Sequence, residues 1–233
     1  MEHHTAAARR ALYPRLLGAA WSALDAAVQR VHDAHGDQQG TGTFIITRSP
    51  GRLTGLLLTL AGVPAASAGT GVRVLVQQDG AAEVWARSFD GRPLRTRQYA
   101  TSSGLLAEQF GPLEFWFHLS AEGGALRFRQ ARQFLRLGPI LVPLPGWAAP
   151  QIAAREGPGG TATETVSADT TPETVRVRIT PATATETTVA VRMTTPQGTL
   201  LFAYAGNVRW TPADAAGPDA TGPDATGQEG RTA

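Results

Sequence analysis

Alternation of apolar and polar positions dominates the chain from residue 43 to residue 204. Leu113, Phe115, Phe117 and Leu119 recur at period two, with Glu114, Trp116, His118 and Ser120 between them. That period predicts a strand with two different faces. Gly123-Gly124 then turns the chain, and Leu126 and Phe128 alternate with Arg127 and Arg129. Earlier, Val72, Val74 and Val76 alternate with Arg73, Leu75 and Gln77. Glu83 to Phe89 and Pro93 to Tyr99 follow as strands, separated by the turn signals Asp79-Gly80 and Asp90-Gly91. The residues around Asp79-Gly80 leave room for a loop longer than two residues. Thr43 to Thr47 opens the series with β-branched residues, and Val189 to Met193 with Thr199 to Tyr204 closes it as a hairpin around Pro196-Gln197-Gly198. Val175, Val177 and Ile179, interleaved with Arg176 and Arg178, suggest one strand more. Near-hairpin spacing of this kind argues for an antiparallel sheet and against βαβ units.

A different period rules the start. Leu17, Trp21, Leu24, Val28 and Val31 fall at spacings of 4, 3, 4 and 3, the apolar stripe of an amphipathic helix. Pro14 suits its first turn and Gly36 its end; Gly18 offers a break, with Ser22 and Asp25 restarting the helix. Arg52 to Leu60 reads as a second, short helix, stopped by Gly62 and Pro64. The expected fold class is therefore α+β: a strongly curved, open barrel-like antiparallel sheet of about eight strands with an N-terminal amphipathic helix and a second short helix. Such a sheet curls, and a helix against one face leaves an apolar cavity. The segment Leu105 to Trp147 supplies its middle strands, and the Pro-rich exit from Leu137 to Pro150 is expected to cross one end as a non-helical cover. Residues 1–10 read as a flexible leader and 11–210 as a single domain, with a Thr/Ala-rich insertion at 157–188. Residues 211–233, with GPDAT repeated, read as a disordered tail.

Composition changes this picture little. Hydrophobic residues make up 42%, enough for a core, and the absence of cysteine excludes disulfides and thiolate metal sites. All 21 basic residues are arginine, which explains a sequence pI near 9.6 beside a net charge of only +2. That charge is too small to argue for nucleic acid. No targeting segment is apparent, and the longest apolar run, Leu56 to Leu60, is too short to span a bilayer. The expectation is a soluble cytoplasmic protein.

Candidate chemistry is sparse. Arg73, Arg95, Arg97, Arg127, Arg129, Arg176, Arg178 and Arg192 alternate with apolar positions. They form either a solvated sheet face or, in part, a site for a carboxylate or phosphate. His32 and His35, three apart, suit a solvated helix end better than a metal site, since no further ligands accompany them. Glu108 and His118, the latter on a strand face with Glu114 and Trp116, are the candidates for general acid–base work. Asp25 and Glu156 stand alone. The glycines form no phosphate cradle, and neither a GxSxG elbow nor a kinase signature is present. No cofactor or metal is implied.

Several motifs then resemble, in order, a bacterial family called domain of unknown function 4166. They are Leu12-Tyr13-Pro14-Arg15-Leu16-Leu17-Gly18 with Trp21 and His32; Glu83-Val84-Trp85-Ala86-Arg87-Ser88-Phe89; and Glu108 with Phe110-Gly111-Pro112-Leu113. Pro143-Leu144-Pro145 with Trp147 and Glu156, and finally Pro196, Gly198, Leu200, Tyr204 and Gly206, complete the set. Residues 157–188 and the tail have no counterpart in it. The resemblance implies a domain found alone or attached to saccharopine dehydrogenase-like NAD(P)-binding domains, with no agreed catalytic residues. Glu83, Trp85, Arg87, Glu108 and Glu156 are the matching positions to test. Three readings stay open. One is a binding module for a small apolar or amphipathic molecule, held by Trp85, Arg87, Phe115, Phe117, Phe128, Arg127 and Arg129. Another is an enzyme, or an accessory of a separate reductase, with Glu108 or His118 carrying the proton. The third is a ligand-free interaction domain.

Overall fold

The computed structural model describes residues 11–33, 37–51, 55, 58–59, 63–146, 150–159 and 186–212. Two short helices come first, α1 (Leu12–Leu17) and α2 (Ala26–His32), joined by a 3-10 turn (Gly18–Ala23). Eleven strands follow: β1 (Gln38–Arg48), β2 (Ser67–Asp79), β3 (Ala82–Phe89), β4 (Arg92–Ala100), β5 (Leu106–Phe110) and β6 (Leu113–Glu122). The rest are β7 (Ala125–Leu137), β8 (Ile140–Pro143), β9 (Gln151–Pro158), β10 (Glu186–Thr194) and β11 (Leu200–Pro212). All neighbours pair antiparallel in the order β6-β5-β4-β3-β2-β1-β11-β10-β9-β7, and β7 pairs back onto β6. The sheet thus closes into a ten-stranded barrel, where an open sheet of about eight strands was expected. The difference lies in β5 and β9, which the alternation does not mark.

Turn chemistry sets the register. Asp90 and Gly91, with φ of 48° and 84°, both adopt the left-handed conformation that a tight hairpin needs between Phe89 and Arg92. Asp79 pairs with Ala82, so that turn is two residues long as well, and no longer loop forms. Between β1 and β11, Phe44 takes the inward space beside Gly206: a Cβ there would sit 2.1 Å from Phe44 Cδ1 and 2.2 Å from Thr43 O. Glycine is what lets these two strands approach while the sheet bends.

The helical stripe folds as three pieces. Gly18, at φ 55°, ends α1, and Asp25 starts α2 by accepting a hydrogen bond from Ala27 N at 2.8 Å. Asp25, expected with Ser22 to restart the helix and otherwise without a partner, is thus the N-cap itself. Gln29 Nε2 donates to Trp21 O and Leu24 O, both at 3.0 Å, holding the pieces at a fixed angle. Asp25 N donates to Gly124 O at 2.8 Å, which fastens the helices to the β6–β7 turn. Leu12, Tyr13, Leu17, Leu24 and Val28 pack against Leu106, Phe115, Phe117 and Leu126. The helices therefore plug one end of the barrel. A second core, built on Phe44, Val72, Val74, Trp85, Phe89, Phe202 and Trp210, fills the opposite wall.

The second helix expected over Arg52 to Leu60 lies largely outside the described residues; Gly55, Leu58 and Thr59 are helical. The Pro-rich exit differs from expectation. Ile140 to Pro143 doubles back on β7 as β8, outside the ring, with Leu137, Ile140 and Val142 exposed at 55%, 62% and 40%. The chain then rejoins the barrel as β9. Where β7 changes partner from β9 to β8, the side chain of Gln130 stands in for the ladder, accepting from Ile152 N at 2.7 Å and donating to Pro150 O at 3.0 Å.

Outside the barrel, Arg73, Arg95, Arg97, Arg127 and Arg129 are all exposed. Apolar inside and charged outside is the reverse of the alternation in a membrane-spanning barrel. No helix among the described residues is long and apolar enough to cross a membrane. The strand expected at Val175 to Ile179, the leader, most of the 157–188 insertion and all but two residues of the tail lie outside the described residues; Pro158 and Thr187, near the ends of the insertion, pair directly.

Candidate functional site

The inward side chains of the ring line a cavity of about 630 Å³, a size typical of small-molecule sites. Leu58, Val63, Pro64, Phe110, Leu113, Pro150, Pro196 and Leu201 line it where the β1–β2, β5–β6, β8–β9 and β10–β11 connections lie. Tyr13 and His32, carried by the helices, line the opposite end. The cavity is thus floored by the helical plug and extends toward the loops. Phe44, Val74, Phe115, Phe117, Phe128, Met193 and Phe202 make its walls mostly apolar.

Its floor is polar and dense. Tyr13 Oη donates to Gln98 Oε1 at 2.5 Å. Burial above all, helped by Glu83, Glu108 and Glu156, holds that phenol well above its ordinary pKa, so it stays a neutral donor. The His32 ring lies 3.9 Å from the Tyr13 ring and 5.6 Å from Trp85. His32 Nε2 is 2.9 Å from Glu156 Oε2, with both side chains buried. His32 Nδ1 and Glu156 Oε1 have no partner among the described residues. Beside them, Glu83 accepts from Trp85 Nε1 at 3.2 Å and from Gln78 Nε2 at 3.4 Å. Burial raises the Glu83 pKa; His32 and these two hydrogen bonds act against it. Local structure explains the convergence, since α2 carries His32 inward over its seven residues. Glu83 and Glu156 occupy inward positions of β3 and β9 in line with Trp85 and Ala154.

Nearer the middle, the Arg87 guanidinium carbon stands 5.0 Å from the centre of the Trp85 ring. Its NH1 donates to Thr96 Oγ1 at 2.9 Å and faces Glu108 Oε1 at 3.7 Å. The Arg87 and Glu108 side chains keep 14% and 21% of their surface accessible, and both line the cavity.

The structure therefore brings together Trp85, Arg87, Glu108, Phe115, Phe117 and Phe128 of the residues singled out from sequence. It does not bring Arg127, Arg129 or His118 to them. The pleat that turns Phe117 and Phe128 inward turns their neighbours outward. Arg127 pairs with Glu122 at 2.8 Å on the exposed face, and His118 is exposed opposite Arg129. Glu114 also faces outward, yet it is fully buried under an ion pair with Arg136 and accepts from Trp116 Nε1 at 2.8 Å. His32, expected at a solvated helix end, is 2% exposed, and Glu156, expected alone, is its partner. Tyr13 and His32 carry a legible signal: they stand four residues before Leu17 and after Val28, on the apolar stripe itself. His35 lies outside the described residues.

Fold and site together define a closed antiparallel β-barrel with an internal, partly polar cavity, plugged at one end by helices. The chain belongs to the family described as a domain of unknown function (DUF4166), whose model matches residues 24–164. No curated protein matches it. Among solved structures it is similar to a protein of unknown function from the DUF3598 family of Nostoc punctiforme, at 9% identity and a TM-score of 0.37, over 76% of this chain and 47% of that one. It is also similar to an inactive mutant of the CurJ dehydratase in complex with a compound, at 5% identity and a TM-score of 0.18, over 76% of each chain. The chain spans less than half the length of the first of these.

Proposed function

We propose that this barrel binds a small apolar or amphipathic molecule inside its cavity. The observation that carries this reading is the space itself, about 630 Å³ among side chains such as Phe115, Phe117, Phe128 and Trp85. A well-packed interior leaves few voids larger than a water molecule, so a cavity of this size is a feature to explain. Trp85, Arg87, Glu108, Phe115, Phe117 and Phe128 form the contact set; Arg127, Arg129 and His118, which face outward, drop from it. The test is a fluorescence titration with the neutral apolar dye Nile red. Saturable binding to the wild-type chain, lost in Ala154→Trp with the melting temperature kept, is the expected result. Ala154 lines the cavity, so the indole occupies the ligand's space. Equal dye binding by both proteins would sink the reading.

Glu108 favours a second reading, in which the bound molecule is also transformed, here or by a separate NAD(P)-dependent reductase. A carboxylate inside an apolar cavity with no hydrogen bond from any described residue is a suitable proton carrier. Native mass spectrometry of the chain purified from its own host separates the two: a single retained species supports binding alone, whereas a substrate–product pair supports conversion.

A further inference from the structure

We infer that the molecule in this cavity carries a neutral group offering a hydrogen-bond donor and an acceptor side by side, a carboxamide or a hydroxyl, placed between Arg87 and Glu108. This rests on the cavity being a binding site and names what the site selects. The guanidinium has five N–H donors, and the hydrogen bond recorded for Arg87 is the one from NH1 to Thr96 Oγ1 at 2.9 Å. Its approach to Glu108, at 3.7 Å, is too long to be a hydrogen bond. Glu108 in turn accepts no hydrogen bond from a described residue, although it lines a mainly apolar space. Both side chains retain accessible surface, so their unfilled positions open on the cavity. A buried charge short of hydrogen bonds is costly, and here Arg87, with one, and Glu108, with none from a described residue, stand 3.7 Å apart.

Three ligand chemistries can meet this pair. A carboxylate would bond to Arg87 but lie against Glu108, with Glu83 and Glu156 deeper in the same interior. An ammonium would bond to Glu108 but lie against the guanidinium. A carboxamide or hydroxyl accepts from Arg87 and donates to Glu108 together, and adds no third charge. The site discriminates by repulsion as much as by attraction. The arrangement also fixes orientation. Arg87 and Glu108 stand between the polar floor and an apolar mouth formed by Phe110, Leu113 and Val63, so an aliphatic or aromatic tail points toward the loops.

The experiment is displacement of Nile red from the full chain at pH 7.5 by four ten-carbon probes: decanamide, 1-decanol, decanoate and decylamine. Decanamide and decanol are expected to displace the dye at concentrations about tenfold below the two ions. Glu108→Gln removes the negative charge beside Arg87, and in that variant decanoate is expected to gain about tenfold relative to decanol. Circular dichroism confirms that the variant folds. Tightest binding of decanoate or decylamine to the wild type overturns the inference while the cavity reading stands. So does an unchanged probe order in Glu108→Gln, or dye that binds and is displaced by none of the four. Failure of Nile red itself to bind removes the cavity reading and this inference with it.

Discussion

His32 and Glu156 meet across 124 positions of sequence in a hydrogen bond of 2.9 Å with almost no solvent. Burying two such groups is tolerable because each gives the other a partner, Nε2 for Oε2. Removing one partner strands the second, so Glu156→Ala is expected to cost about 3 kcal/mol. Glu156→Gln keeps an acceptor oxygen for the imidazole and is expected to cost about 1 kcal/mol. Urea denaturation of the two variants gives both values, and equal losses would mean that the acceptor oxygen kept in Glu156→Gln does nothing for the imidazole. Glu83, close by, behaves in the opposite sense. Burial raises its pKa in the folded chain, so over the interval between the unfolded and folded values the native state holds a proton that the unfolded state has released. Its contribution to stability is full below the unfolded pKa and is lost as pH rises through the folded one. Glu83→Gln has no such proton to lose, and its oxygen can still accept from Trp85. The stability of Glu83→Gln relative to the wild type is therefore expected to rise between pH 4 and pH 8, read from thermal melts across that range. A flat difference would place the Glu83 carboxyl in contact with water.

Of the strands that carry inward carboxylates, β3 is legible in the sequence, whereas β9, with Glu156, and β5, with Glu108, are not. Alternation finds a strand when one face is apolar. It marks β2 by Val72, Val74 and Val76 and β6 by Leu113, Phe115 and Phe117, whose inward faces are purely apolar. On β5 the inward positions are Leu106, Glu108 and Phe110, and on β9 they are Ile152, Ala154 and Glu156, so a carboxylate stands where the pattern asks for a core residue. Those two strands pass unnoticed, and the ring is counted short. The inward carboxylates of β5 and β9 thus break the pattern that would mark their strands. The outward placement of His118, Arg127 and Arg129 was within reach of the same alternation, given which face closes on the interior. That choice requires curvature, which no single strand shows. Curvature in turn rests on glycine. Between β1 and β11 the inward side of Gly206 is filled by Phe44, and a Cβ would also meet Thr43 O, a backbone atom with nowhere to move. Gly206→Ala is expected to cost about 3 kcal/mol, measured by denaturation. A loss below 1 kcal/mol, by the same measure of overpacking, would show that the strands separate easily.

At the scale of the molecule, two bodies of unequal firmness share one cavity. Every strand of the ring has a hydrogen-bonded neighbour on each side, so opening the barrel anywhere breaks a ladder. The helices are attached differently. Apolar packing of Leu12, Leu17, Leu24 and Val28, the backbone bond from Asp25 to Gly124, and the side-chain bonds Tyr13–Gln98 and His32–Glu156 hold them. Helices of six and seven residues have little stability of their own, so α1 and α2 depend on that docking. Local opening of the plug should therefore require less free energy than opening of the ring. Since Tyr13 and His32 belong to the plug and also line the cavity, occupancy of the cavity must bear on the plug. A ligand that binds only the closed form favours closure by its own binding free energy. Hydrogen exchange followed by mass spectrometry is expected to show residues 12–32 exchanging faster than β2, β3 and β6 in the free chain. Saturating Nile red is expected to slow the helices selectively, with the amides of α2 near His32 slowed most. Uniform protection across helices and barrel would mean that the plug and the ring open as one unit, with the molecule in the cavity acting on both alike.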